Sequence, residues 1–116
     1  MSGHRIGRVA EDLKRELCDI MRNLKDPRVT ELISVVQADV SNDLSWCTVY
    51  VSSMKGLEDA QNAVKGLVSA KGFIKKELSS RLKMRKTPEL KFIADNSIED
   101  SARILRMLND VKTNEN

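Results

Sequence analysis

The amino-acid sequence predicts an α+β domain in which helices cover one face of a small β-sheet. Three observations carry this: apolar residues spaced three and four apart near the N-terminus, two β-branched runs around a turn-forming tripeptide, and a second helical stretch followed by a short third apolar run. At 116 residues the chain has the length of one domain, expected over 1–111, with the polar segment 112–116 as a disordered tail.

Between Arg5 and Leu24, the side chains Ile6, Val9, Leu13, Leu17, Ile20, Met21 and Leu24 fall on one face of an α-helix. On the opposite face Arg8, Arg15 and Arg22 are seven apart and nearly eclipse one another, with Glu11, Asp12 and Asp19 within pairing distance. Two readings of that face stay open, a salt-bridged solvated surface and a nucleic-acid contact. Cys18 falls on the polar side and is expected to be partly exposed. Asp26-Pro27 is expected to end the helix, because proline lacks an N–H and disfavours the helical conformation of the residue before it.

The period then changes. Residues 33–40 and 46–51 are rich in β-branched or aromatic side chains and flank Ser41-Asn42-Asp43, which predicts a β-hairpin. In its second strand Cys47, Val49 and Val51 share the face expected to meet the helices, with Trp46, Thr48 and Tyr50 on the other. After Lys55-Gly56 a helical pattern resumes with Ala60, Ala63, Val64, Leu67 and Val68, and continues past Gly72 with Ile74, Leu78 and Leu82. Glycine inside a helix costs roughly 1 kcal/mol relative to alanine, so Gly66 and Gly72 predict a bend or close packing at Ala70-Lys71-Gly72. Thr87-Pro88 is expected to stop this helix, 90–94 to form a third strand, and Ser97 with Asp100 to cap a short last helix carrying Ile98, Ala102, Leu105 and Leu108.

Composition excludes several function classes. The only histidine, His4, lies in the N-terminal segment, and no phosphate-cradling glycine motif or serine nucleophile elbow is present, so an enzyme is not expected. Cys18 and Cys47 have no metal-ligand spacing and read as reduced thiols, so no cofactor or metal is expected. Asp39, Asp43 and Asp95 read as turn and cap residues. No apolar run is long enough to span a bilayer and no signal peptide is visible, which predicts a cytoplasmic protein with no membrane contact. With four aromatic residues, stacking of exposed bases is not expected either.

Charge is the positive signal. Residues 71–86 hold seven Lys or Arg against one Glu, a local net charge of +6 in a chain whose total is +3. Helical geometry places Ile74, Leu78 and Leu82 on one stripe, Lys76 and Lys83 on the far side with Ser79 between them, and Lys75 and Arg81 beside the apolar stripe. Ser79 and Ser80 could donate to phosphate oxygens. A solvated helix is the plain alternative, but the shortage of compensating acids favours a face that binds a polyanion. The candidate RNA-binding residues are Lys71, Lys75, Lys76, Arg81, Lys83, Arg85 and Lys86, then Arg8, Arg15 and Arg22. The competing class is a basic module that docks acidic protein partners without touching RNA.

Ordered motifs then narrow the reading. Arg8-Val9-Ala10-Glu11, Asp26-Pro27-Arg28, Val40-Ser41-Asn42-Asp43-Leu44, Val49-Tyr50-Val51-Ser52, Ala70-Lys71-Gly72-Phe73-Ile74-Lys75, Leu82-Lys83-Met84-Arg85, Pro88-Glu89-Leu90-Lys91-Phe92 and Asp95-Asn96-Ser97 follow one another in a pattern that resembles the ribosome-binding factor A family of bacterial small-subunit assembly factors. The resemblance implies a type II KH-like fold of order α-β-β-α-α-β, with an Ala-x-Gly kink at Ala70 and Gly72 where KH domains carry Gly-x-x-Gly. It also implies binding to the small (30S) ribosomal subunit and its 16S rRNA, in aid of late rRNA maturation; no small-molecule substrate is expected, and the free protein is expected to be monomeric. Lys75 stands where arginine is common in the family, which keeps the charge and loses the bidentate geometry. Cys47 stands where alanine is common.

Overall fold

The computed structural model describes residues 2–96 and residue 105. Helix α1 runs Ser2–Arg22, strands β1 and β2 run Ile33–Val40 and Trp46–Ser53, helices α2 and α3 run Leu57–Ser69 and Lys71–Leu82, and β3 runs Glu89–Asp95. This is the α-β-β-α-α-β order expected of the KH-like fold. The expected last helix and the tail lie outside the described residues, apart from Leu105, which is helical and exposed.

The sheet order is β1-β2-β3, with β1 antiparallel and β3 parallel to β2. The parallel pair needs a crossover, and α2 with α3 supplies it. Alternation along the strands explains which face is covered. Cys47, Val49 and Val51 are fully buried on the helix side, as are Leu90 and nearly all of Phe92, while Trp46 is half exposed and Thr48 and Tyr50 are half-buried on the open side. A bulge at Val36 shifts the β1–β2 register between Val35 and Gln37.

Leu13, Leu17, Ile20 and Met21 of α1 join Leu67 of α2, Ile74 and Leu78 of α3 and the inner sheet face in one core. Each buried aliphatic side chain contributes about 2 kcal/mol relative to an exposed one. Helix α1 packs on β1 and α3, and α2 packs on β2 and β3. Cys47 in this core has its thiol pushed up to about 11 by burial, which makes it a packing residue and not a nucleophile.

Turn chemistry holds the connections. In the hairpin Asp43 accepts hydrogen bonds from the Ser41 hydroxyl at 2.8 Å, the Ser45 N–H at 3.1 Å and the Ser45 hydroxyl at 2.6 Å. This web surrounds Leu44 at φ 61°, so the left-handed residue of the turn is a leucine and not Asn42, two residues before it. At the start of α2, Gly56 has φ 107°, a conformation that only glycine adopts without strain. Asp26 accepts from the Arg28 backbone N–H at 2.8 Å and from its guanidinium at 3.0 and 2.8 Å, closing the loop after α1.

Three expectations are corrected, and a fourth, the bend at Ala70-Lys71-Gly72, is borne out at Ala70 and corrected at Gly72. Helix α1 ends at Arg22, before Asp26-Pro27, with Asn23 and Leu24 donating backbone bonds to Ile20 and Met21 in a tightened last turn. Helix α3 ends at Leu82, well before Thr87-Pro88, because Lys83 takes the left-handed conformation at φ 50° and both Lys83 and Met84 return their N–H groups to Ser79. Val68 is 54% exposed, and Gly66 occupies the buried position on α2 instead. Lastly, the break between helices is at Ala70, whose φ of −95° and ψ of 9° leave the helical region. Gly72 sits in the first turn of α3, where an added Cβ would meet nothing within 4 Å, so it is not needed for the bend. Gly66 is the glycine that packing requires: a Cβ there would stand 3.0 Å from Asp26 Oδ2 and 3.1 Å from Val29 Cγ2.

Candidate nucleic-acid interface

The ten basic candidates divide into two groups according to what their side chains meet. On α1, Arg15 donates to Asp12 Oδ1 at 3.1 Å and Arg22 donates from Nε to the Cys18 carbonyl at 3.4 Å, while Arg8 is exposed with no ion pair among the described residues. Only Asp12 of the three expected acids pairs with an arginine of its own helix. Asp19 instead accepts from Arg81 of α3 at 2.5 Å, and Glu16 accepts from the same guanidinium nitrogen at 3.2 Å. Arg81 therefore ties α3 to α1. Its proximity holds the Asp19 carboxyl below its ordinary range. A guanidinium whose charge is answered by two carboxylates projects little field outward, so Arg81 is a seam residue here and not an open phosphate ligand.

The second group lies along α3 and the loop that leads from it to β3. Lys71, Lys76, Lys83, Arg85 and Lys86 make no ion pair among the described residues, and Lys76, Lys83, Arg85 and Lys86 are exposed. Lys75 is the exception, since its ammonium contacts Glu89 of β3. The Glu89 carboxyl is held below its ordinary value by Lys75 first and by the charges of Lys71 and Lys86 as well. One acid thus faces three lysines, and the local excess of positive charge remains. Lys76 and Lys83 do not form the helical pair expected from a seven-residue spacing, because the chain turns left-handed at Lys83. The lysines after Leu82 are carried by a loop that folds back toward β3.

Between α3 and this loop lies an open pocket of about 400 Å³, lined by Gly72, Lys75, Lys76, Ser79, Lys86 and Thr87. Thr87 and Glu89 are absent from the candidates that charge and helical geometry supply. Thr87 reads in sequence only as the residue before a proline, and Glu89 only as part of the motif Pro88-Glu89-Leu90-Lys91-Phe92; neither carries a local signal for a site. Among the described residues no group of three or more His, Cys, Asp or Glu side chains is placed to hold a metal ion, and no helix is long and apolar enough to cross a membrane. Trp46 and Phe73 are about half exposed but stand on different elements, one on the open face of the sheet and one on α3.

Known proteins resemble this chain in sequence and in fold. A family profile described as ribosome-binding factor A matches residues 5–108. Ribosome-binding factor A of Acetivibrio thermocellus is 47% identical over 107 residues, which cover 91% of this chain and 87% of that protein. The crystal structure of ribosome-binding factor A from Thermus thermophilus superposes with a TM-score of 0.69 at 30% identity, covering 77% of this chain and 93% of that one. A homology model of the Thermus thermophilus factor, as fitted into the cryo-EM map of a 30S complex of that factor, superposes with a TM-score of 0.61 at 32% identity, covering 72% and 88%. Fold order, motif order and similarity over nearly the whole length converge: this chain belongs to the ribosome-binding factor A family.

Proposed function

We propose that this protein is a non-catalytic assembly factor that binds the small ribosomal subunit in the cytoplasm and assists late maturation of its 16S rRNA. The observation that carries the reading is the ribbon of Lys71, Lys76, Lys83, Arg85 and Lys86, which have no ion pair among the described residues, set on a fold for which a homology model of the Thermus relative has been fitted into a map of a 30S complex. Unpaired ammonium and guanidinium groups release counterions when they meet phosphates, and that release is a driving force that needs no chemistry. The folded domain, monomeric when free, would hold rRNA phosphates along this ribbon and occupy space on the immature subunit until it is removed.

The test is binding of the purified protein to small subunits and to naked 16S rRNA fragments across a salt titration. Saturable binding to subunits whose affinity falls steeply with salt is expected. Subunit binding that ignores salt, or binding retained only by acidic ribosomal proteins stripped of rRNA, would overturn it.

A further inference from the structure

The pocket beside α3 has the build of a seat for one phosphate group, a more specific feature than a basic surface. Three of its six lining residues are lysines, Lys75, Lys76 and Lys86. Ser79 supplies a hydroxyl whose bond to the Met84 carbonyl is stretched to 3.5 Å, so it is weakly committed. Thr87 is 8% exposed, and its hydroxyl oxygen is the one buried side-chain polar atom without a hydrogen-bond partner among the described residues. Folded proteins rarely leave such a group unanswered, and an orphan of this kind calls for a missing partner. The hydroxyl is closed off from solvent in the free protein, and the lysines that line the same pocket are carried on flexible stems.

Gly72 adds an independent observation. It costs helix stability, it is not required for the bend, and nothing packs against the side where its Cβ would stand. That open space is part of the pocket lining. Gly72 lines the pocket together with the lysines, so a side chain at this position would crowd its wall. Glu89, in contact with Lys75, acts as an internal competitor for the same positive charge.

We infer that the pocket formed by Gly72, Lys75, Lys76, Ser79, Lys86 and Thr87 binds a single phosphate group, with the lysines supplying charge and the Ser79 and Thr87 hydroxyls supplying directed hydrogen bonds. This rests on the proposed RNA-binding function and deepens it: a seat of this kind fixes the position of one phosphate and with it the register of the strand along the basic ribbon. The phosphate is either a backbone diester or a free or terminal phosphate, which share this chemistry.

The experiment is an NMR titration of the full chain with inorganic phosphate, and in a second arm with a uridine trinucleotide that has internal diesters and no terminal phosphate. Saturable shifts centred on the Gly72, Ser79 and Thr87 amides are expected in the first arm. The second arm assigns the source, since shifts at the same amides identify a backbone diester and their absence identifies a free or terminal phosphate. Thr87→Val and Gly72→Ala should each weaken phosphate binding about fivefold or more while raising the melting temperature, because one removes an unpaired buried hydroxyl and the other a helix glycine. Glu89→Gln should tighten it by about threefold, because a neutral amide competes less for Lys75. Unchanged affinity in Thr87→Val, or unsaturable shifts spread evenly over Arg85, Lys91 and other exposed cations, would overturn the seat. Lysine-dependent subunit binding without a saturable phosphate response overturns the pocket and leaves the function; a phosphate response without any subunit binding does the reverse.

Discussion

The polar face of α1 and the segment from Lys71 to Lys86 are both rich in Arg and Lys, yet they differ in what answers those charges. On α1 the acids are interleaved, and once the helices dock they also reach across to α3, so that Arg81 is consumed by Glu16 and Asp19. In the second region Lys71, Lys76, Lys83, Arg85 and Lys86 stay without an ion pair among the described residues, and Lys75 meets Glu89. A field depends on unanswered charge, so a count of cations overstates both regions, but the second keeps five cations without an ion pair among the described residues even after Lys75 and Arg81 are set aside. The two also differ in backbone: α1 is one continuous helix, whereas the second region is a helix, a left-handed turn at Lys83 and a loop.

The largest effect expected from this contrast is on binding. Each lysine–phosphate contact contributes about 0.9 to the slope of log affinity against log salt, or about tenfold at 0.1 M salt relative to 1 M. Reversing both Lys76 and Lys83 to Glu should therefore weaken small-subunit binding about a hundredfold at 0.1 M salt and flatten the slope by about two. A salt slope equal to wild type would break the contrast, since the second region would then be no more exposed to phosphate than the first.

Arg81→Ala should do the opposite. It leaves Glu16 and Asp19 close together without their cation, so thermal unfolding should come a few degrees earlier, while the salt slope of subunit binding stays at the wild-type value. A slope reduced by about one would show that the α1–α3 seam opens when rRNA binds.

Gly66→Ala sharpens the comparison between glycines that look alike in sequence. The gain in helix propensity is about 1 kcal/mol, but the new methyl meets an Asp26 carboxylate already held by three bonds from Arg28, and overpacking of this kind costs about 1–3 kcal/mol. Net destabilisation by denaturant unfolding is expected, in contrast to the stabilisation expected of Gly72→Ala. A more stable Gly66→Ala would mean that the loop after α1 yields freely.

The smallest effect is on stability in acid. Asp26 and Asp43 are each held down to about 2, from an ordinary value of 3.8, first by the Arg28 guanidinium and the Ser45 hydroxyl respectively. The unfolded chain then binds protons at these sites before the folded one does, so their contribution is complete above pH 4 and is lost as pH falls from about 4 to about 2. Asp43→Asn should make the melting temperature fall less steeply across that window; an unchanged profile would show that the hairpin web does not depend on charge.

Much of the fold was legible before any tertiary contact was known, and the reason is periodicity. Leu13, Leu17 and Ile20 on α1, Cys47, Val49 and Val51 on β2, and Ile74 and Leu78 on α3 are buried as their spacing predicts, because burial selects one face of an element and an element has a fixed repeat. The places where local reasoning failed are ends and glycines. Helix α3 stops at Lys83 through backbone bonds to Ser79, which no side-chain signal announces, and the proline expected to stop it lies several residues later. Gly66 and Gly72 weaken a helix equally on paper; only the presence of Asp26 and Val29 beside one, and open space beside the other, separates their roles.

The sequence by itself determined the order of elements, their buried faces, the concentration of positive charge between Lys71 and Lys86, and the motif order of the family. These are local properties, set by spacing and composition over a few turns of chain. Tertiary structure alone decided which cations remain available, because Arg81 meets Glu16 and Asp19 from 65 and 62 residues away and Lys75 meets Glu89 only when β3 docks beside α3. It also brought Thr87, with its buried and unpartnered hydroxyl, to the lining of a lysine-rich pocket. Pairing and pocket alike depend on how folded elements dock, and docking brings together residues whose distance along the chain says nothing of their distance in space.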